Sequence, residues 1–162
     1  MDDAWRLRDP APGDLGWIIG QHGRHFVGEL GFDPDYERLV AEELVNFLGQ
    51  RDAARDRIWI AARGGTPGGS ILCMGEGEEA RLRFFYVAPE ARGHGVGRML
   101  LRQLIDHARD QGFEQVILST HAEQEAACRL YARAGFACID SAPSHTWGRK
   151  LTEQTWSLPL GT

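Results

Sequence analysis

Between Arg92 and Gly97 the chain reads Arg-Gly-His-Gly-Val-Gly, the stretch whose residue types most directly imply chemistry. Glycine at alternate positions strips side chains from the backbone, so main-chain N–H groups can close on something large and anionic. Beyond it Leu100, Leu101, Leu104, Ile105 and Ala108 recur at helical spacing, with Arg102, Gln103, Asp106 and Arg109 on the other side. A helix opening directly after such a loop offers unpaired N–H donors and partial positive charge in its first turn, so a phosphate is the expected ligand. The dinucleotide pattern G-x-G-x-x-G would need glycine where Arg98 stands, and the triphosphate loop G-x-x-x-x-G-K-[ST] is absent.

The element that must deliver this loop is Ala80 to Val87, an apolar and aromatic run with Arg81 and Arg83 interleaved, closed by Pro89 and read as a buried central strand. Glu79, Arg81, Arg83, Phe85 and Val87 share a parity and are expected on one side of it. Arginines on a central strand imply that this side is partly wet, a cleft. Gln115 to Thr120 is a further buried strand after the helix, reached by a crossover and therefore parallel to the central one. Two parallel neighbours beside a glycine turn make a cleft at their C-terminal ends.

The spacing R-x-x-G-x-G after Val87-Ala88-Pro89 resembles the acetyl-CoA pyrophosphate loop of the GNAT superfamily of N-acetyltransferases. Ala127-Cys128-Arg129-Leu130-Tyr131-Ala132-Arg133-Ala134-Gly135-Phe136 resembles a second signature of that superfamily, A-x-x-L-Y-x-x-x-G-F, with Gly135 as helix stop. The resemblance runs from Trp5 to Leu160. Glu29-Leu30-Gly31-Phe32 and Gln154-Thr155-Trp156 are similar to the acetyltransferase domain that in some proteins follows a MarR-type winged-helix regulator; that regulator is missing here, and DNA binding is not expected. The fold implied is α/β, a mixed and mostly antiparallel sheet of about seven strands with a splayed parallel pair, flanked by about four helices, as one domain over 1–162.

What the resemblance implies for function is acetyl transfer from acetyl-CoA to the primary amine of a small molecule. Backbone groups of Phe85 and Val87 would line the pantetheine arm, and Arg92, Gly93, His94, Gly95, Val96, Gly97 and Arg98 would surround the pyrophosphate. The Val87 N–H would meet the oxyanion, and Tyr131, beside the cofactor sulfur, would act as acid for the leaving thiolate. A base for the amine is sought among Glu79, Glu78 and Glu29, with a water relay as the alternative. Glu29, Arg83 and His145, the last on a loop before the final strand, are candidates to touch the acceptor. Arg83 would either clamp a carboxylate on the substrate or form an internal pair with Glu29 or Glu42. Gln124 stands where many members carry asparagine. A second reading is an acyl-CoA-binding sensor or interaction module that has lost turnover.

Composition sets the outer limits. A chain of 162 residues with formal net charge -5 and 43% hydrophobic residues fits one globular domain and argues against general nucleic-acid binding. Nothing approaches the apolar length of a membrane span and the N-terminus is acidic, so a cytoplasmic protein is expected. Cys73, Cys128 and Cys138 lack a paired motif and read as small buried residues; His22-x-x-His25 lacks the context of a metal site, and none is expected. A homodimer is compatible with the sequence.

Toward the N-terminus, Trp5 to Arg8 reads as a short strand, Asp14 as an N-cap, Leu15 to Leu30 as a helix interrupted near Gly20 and Gly23, and Asp35 to Leu48 as a cleaner amphipathic helix. Arg57 to Ala62 and Gly69 to Met74 read as a hairpin with a five- or six-residue loop. Phe136 to Asp140 and Gln154 to Leu160 read as the last strands, joined by a long loop, Ser141 to Glu153.

Overall fold

A computed structural model describes residues 3–161. Seven strands form one sheet in the order β1-β2-β3-β4-β5-β7-β6. β1 (Arg6–Arg8), β2 (Arg57–Arg63), β3 (Thr66–Glu76) and β4 (Glu79–Val87) run as an antiparallel meander. The hairpin between β2 and β3 is tighter than the sequence suggested: Gly64 and Gly65, at φ 57° and 84°, form a two-residue turn, and a bulge at Ala61 and Ala62 absorbs the extra residue.

β4 itself carries the more consequential bulge. Ser70 lies opposite Tyr86 and Leu72 opposite Arg83, so two steps on β3 match three on β4. The extra residue sits beside Phe84, whose φ is +49°, a conformation that costs a non-glycine residue about 1–2 kcal/mol. The Ser70 hydroxyl donates to the Phe84 carbonyl at 2.8 Å and holds it there. The expected common parity therefore fails: Arg83 and Phe84 face the helices before β2, whereas Phe85 and Val87 turn to the opposite face.

β5 (Gln115–His121) pairs in parallel with β4 only at Glu79–Gln115, Ala80–Val116 and Arg81–Ile117. It then follows β7 (Arg149–Pro159) along its whole length, and the gap between β4 and β5 opens toward their C-terminal ends. β6 (Ala137–Thr146) and β7 make a long hairpin closed by Trp147 and Gly148, both at positive φ, so most of the expected long loop is strand.

α1 (Asp14–His22) continues directly into a π-helical segment, Gly23–Glu29, where the sequence shows its slack glycines. With α2 (Asp35–Gln50) it buries Ile18, Val40, Leu44 and Phe47 against Ile58, Ile60 and Leu72 on one face of the sheet. α3 (Val96–Asp110) and α4 (Glu125–Arg133) cover the other, where Leu100, Leu101 and Leu104 meet Ala80, Val116 and Leu118. No helix of the described residues is long and apolar enough to cross a membrane. Of the cysteines only Cys73 is buried; Cys128 is half-buried and Cys138 is exposed on β6, the edge strand of the sheet.

Asp14 is not the N-cap, a place taken by Gly13, but the first residue of α1. Its buried carboxylate accepts the Ala11 N–H at 2.6 Å and pairs with Arg8, tying α1 to the end of β1. Burial raises the carboxyl, but the Arg8 hydrogen bond, the Ala11 N–H and the Arg8 charge together outweigh it and hold Asp14 below its ordinary value. A folded-state pKa below the unfolded one contributes stability that is complete above the unfolded value, about 3.9, and is lost as pH falls through the folded value. Asp14→Asn is expected to cost about 1–3 kcal/mol in urea unfolding at pH 7. The difference from wild type should shrink below about pH 4; an undiminished penalty at pH 3 would contradict the charged role.

Candidate active site

The opening of β5 leaves one edge of β4, from Leu82 to Val87, without a strand partner. At the end of that edge the chain passes through Pro89–Ala91 and Arg92 into Gly93 and Gly95, at φ 80° and 76°, and α3 begins at Val96. Gly95 is its N-cap, no side chain caps its first turn, and alone among the four α-helices it has no acidic residue there. Unpaired N–H donors, with exposed Arg92, His94 and Arg98 around them, make an anion site at the mouth of the gap. The Arg92 Nε donates to the Val87 carbonyl at 3.1 Å, joining loop and strand. Gly97 serves packing: a Cβ there would lie 3.2 Å from Leu130 Cδ2, so Leu130 would have to give by a few tenths of an ångström.

Two hollows meet at the gap, both bordered by Phe26, Phe85, Gln124 and Ala127. The first, about 560 Å³, runs along Tyr86, Val87, Arg92 and Leu130 toward the α3 terminus. The second, about 420 Å³, lies between β4, β5, the β6–β7 tip and α2, and is walled by Phe32, Tyr36, His121, Trp147 and Glu153. Tyr131 stands between the parted strands. Its ring lies 6.1 Å from that of Phe85 on β4 and 6.2 Å from that of Trp156 on β7, and it borders the second hollow. Burial, and then Cys128, push the phenol well above its ordinary value, so it is protonated at any physiological pH.

The remaining expected residues divide. Arg83 lines the second hollow, but its guanidinium is paired with Glu43 of α2, not with Glu29 or Glu42. Arg81 is likewise paired, with Glu76 at 2.8 Å. Glu79 sits at the closed end of the parallel pair, eight residues and roughly 25 Å along the strand from Val87; as a base for chemistry at the gap it is misplaced. Glu78 is exposed in the adjoining turn beside Glu114, whose carboxyl it raises. His145 lies on β6 opposite Lys150 and is exposed; its neighbours Thr146 and Trp147 face the hollow instead.

Glu29 does not reach the gap itself, but its carboxylate lies 3.0 Å from Nδ1 of His25, which lines the first hollow. That bond fixes the Nδ1–H tautomer and leaves Nε2 free. His22, one turn earlier, is buried, donates Nδ1–H to the Ile18 carbonyl at 2.8 Å, and is pushed down to about 4 by burial, so it is a neutral packing ring against Phe26, Phe84 and Tyr86. The sequence displays His22 and His25 as a spaced pair; only the π-helical winding shows that one is core and the other faces the groove.

The arrangement is matched by known proteins. Residues 30–136 match the acetyltransferase (GNAT) family. The chain is 31% identical to rat N-acetyltransferase 8B over 155 residues, 90% of this chain and 66% of that protein. It is 37% identical to human N-acetyltransferase 8B over 79 residues, 48% of this chain and 35% of that one. The fold superimposes on a GCN5-related N-acetyltransferase from Kribbella flavida with TM-score 0.76 and 26% identity, covering 97% of this chain and 98% of that one. It also superimposes on yncA of Salmonella typhimurium, solved with its cofactor acetyl-CoA, at TM-score 0.76 and 21% identity, covering 98% and 95%. With the matched family spanning the glycine loop, the parted strands and the Tyr131 helix together, this chain belongs to the GNAT family of acetyltransferases.

Proposed function

We propose that the protein transfers the acetyl group of acetyl-CoA directly to the primary amine of a small molecule. The observation that carries this is the continuity of one path: the uncapped N-terminus of α3, then the free edge of β4, then the Tyr131 hydroxyl between the strands. A pyrophosphate fits the first, an extended amide-bearing arm the second and a thioester the third. The relative from Salmonella with acetyl-CoA supports that choice of ligand. Arg92 to Arg98 hold the phosphates, and the backbone of Phe85 and Val87 receives the arm.

In the reaction the amine nitrogen attacks the thioester carbonyl. The oxyanion is met by a backbone N–H at the Val87 end of β4, the C–S bond breaks, and the amine proton leaves to a base. The base is His25, oriented by Glu29, in place of Glu79. Tyr131 serves the departing sulfur. Because its pKa is raised, the phenol acts chiefly by donating a hydrogen bond as thiolate charge develops, and solvent completes the protonation. The reading of a turnover-free sensor finds no comparable support, since a binding module has no use for a protonated phenol open to the thioester.

The test is free-thiol release from acetyl-CoA across a panel of amines; tight acetyl-CoA binding with no release from any amine would point to the sensor. Tyr131→Phe keeps the ring and should keep acetyl-CoA affinity and melting temperature, while kcat falls on the order of a hundredfold. An unchanged kcat under chemistry-limited conditions would return Tyr131 to packing. His25→Gln should lower kcat on the order of a hundredfold while acetyl-CoA affinity holds, whereas an unchanged kcat with chemistry limiting the rate would exclude His25 as base.

A further inference from the structure

The second hollow has walls of a distinctive kind. Phe32 and Tyr36 meet at 5.4 Å and 85°, Tyr36 and Trp147 at 5.3 Å and 82°, and Phe32 and His121 at 6.0 Å and 80°, with Phe26 4.9 Å from Tyr36. These rings pack against one another along the wall of the hollow, and an aromatic face on such a wall attracts an ammonium group through its negative quadrupole. Trp147, a bulky residue at φ +54°, is kept in that wall by two ties between the hairpin tip and the segment before α2. The Asp33 N–H donates to the Trp147 carbonyl at 3.0 Å, and Arg149 donates to the Leu30 carbonyl. Strain tolerated at a cavity wall and fixed by long-range contacts points to a use for the ring.

The charges point the same way. Arg81 and Arg83 are each matched, by Glu76 and Glu43, so neither guanidinium is free to clamp a substrate carboxylate. Glu153 also lines the hollow and has no ion pair among the described residues. Its neighbour His121 is lowered by burial in spite of Glu153 and Glu123, so it is neutral at pH 7 and leaves the Glu153 charge uncompensated.

We infer that the acceptor carries a second, cationic group: the primary amine reaches toward Phe85 and Tyr131 while an ammonium is held against the wall formed by Phe32, Tyr36 and Trp147, beside Glu153. This rests on the acetyl transfer proposed above. Of the two readings of Arg83, substrate clamp or internal pair, it sets the clamp aside.

Three six-carbon primary amines, ending in methyl, carboxylate or trimethylammonium, test it. The expected kcat/KM order is trimethylammonium at least tenfold above methyl, with carboxylate lowest. The ratio of trimethylammonium to methyl should fall toward one in Glu153→Gln and in Trp147→Ala. Equal values for methyl and trimethylammonium, or a preference for carboxylate, overturn the inference, as does a ratio that both variants leave intact. If none of the three is acetylated, calorimetric titration of the same compounds decides. Selective binding of the trimethylammonium amine that Glu153→Gln weakens upholds the cationic site while the transfer reading fails, and no such selectivity removes the site.

Discussion

Everything at the centre of this protein depends on β5 parting from β4 after only three paired residues. A parallel strand that stayed in register would satisfy the β4 edge and leave no room between the two. Because β5 instead keeps all its pairing with β7, the last half of β4 has hydrogen-bonding groups to offer a ligand. The opening is kept by side chains: Tyr131 stands between the rings of Phe85 and Trp156, one from each side of the gap. The same tyrosine that props the strands apart presents its hydroxyl where they part, so packing and chemistry share one residue.

The bulge at Phe84 makes the two sides of the gap different. By advancing the strand one residue it sends Arg83 toward α2 and turns Phe85 and Val87 to the α3 and α4 face. The consequence is a groove leading toward the helix terminus on one side and a hollow with charged and aromatic walls on the other. Arg83 and Arg81 are half-buried, and each keeps a carboxylate partner rather than waiting for a substrate to supply one. That pairing leaves neither guanidinium free to hold an anion in the second hollow.

A helix opening after a glycine turn was legible in the sequence, because alternate glycines and helical apolar spacing are local signals. The parallel pairing of β4 and β5 followed from the crossover between them, whereas the insertion of β7 between β5 and β6 had no local signal. What failed was whatever depends on register. A simple two-residue alternation put Glu79 and Val87 on one side of β4, but the alternation resets at Phe84, which has no glycine to announce its positive φ. The Trp147 turn was hidden for the same reason: a tryptophan at left-handed φ does not look like a hairpin tip, and Ser141 to Glu153 read as a loop. His25 was visible as a residue, but its role depends on the π-helical winding that aims it at the groove and on the Glu29 bond across one turn.

The central claim is that the free β4 edge and the uncapped start of α3 together receive one extended, phosphate-bearing ligand. Amide hydrogen exchange with and without acetyl-CoA tests it most directly. The account predicts new protection confined to Phe85, Tyr86 and Val87 on β4 and to Val96, Gly97 and Arg98 at the start of α3, both segments responding at the same ligand concentration. Saturating acetyl-CoA that leaves either segment exchanging as in the free protein would contradict it.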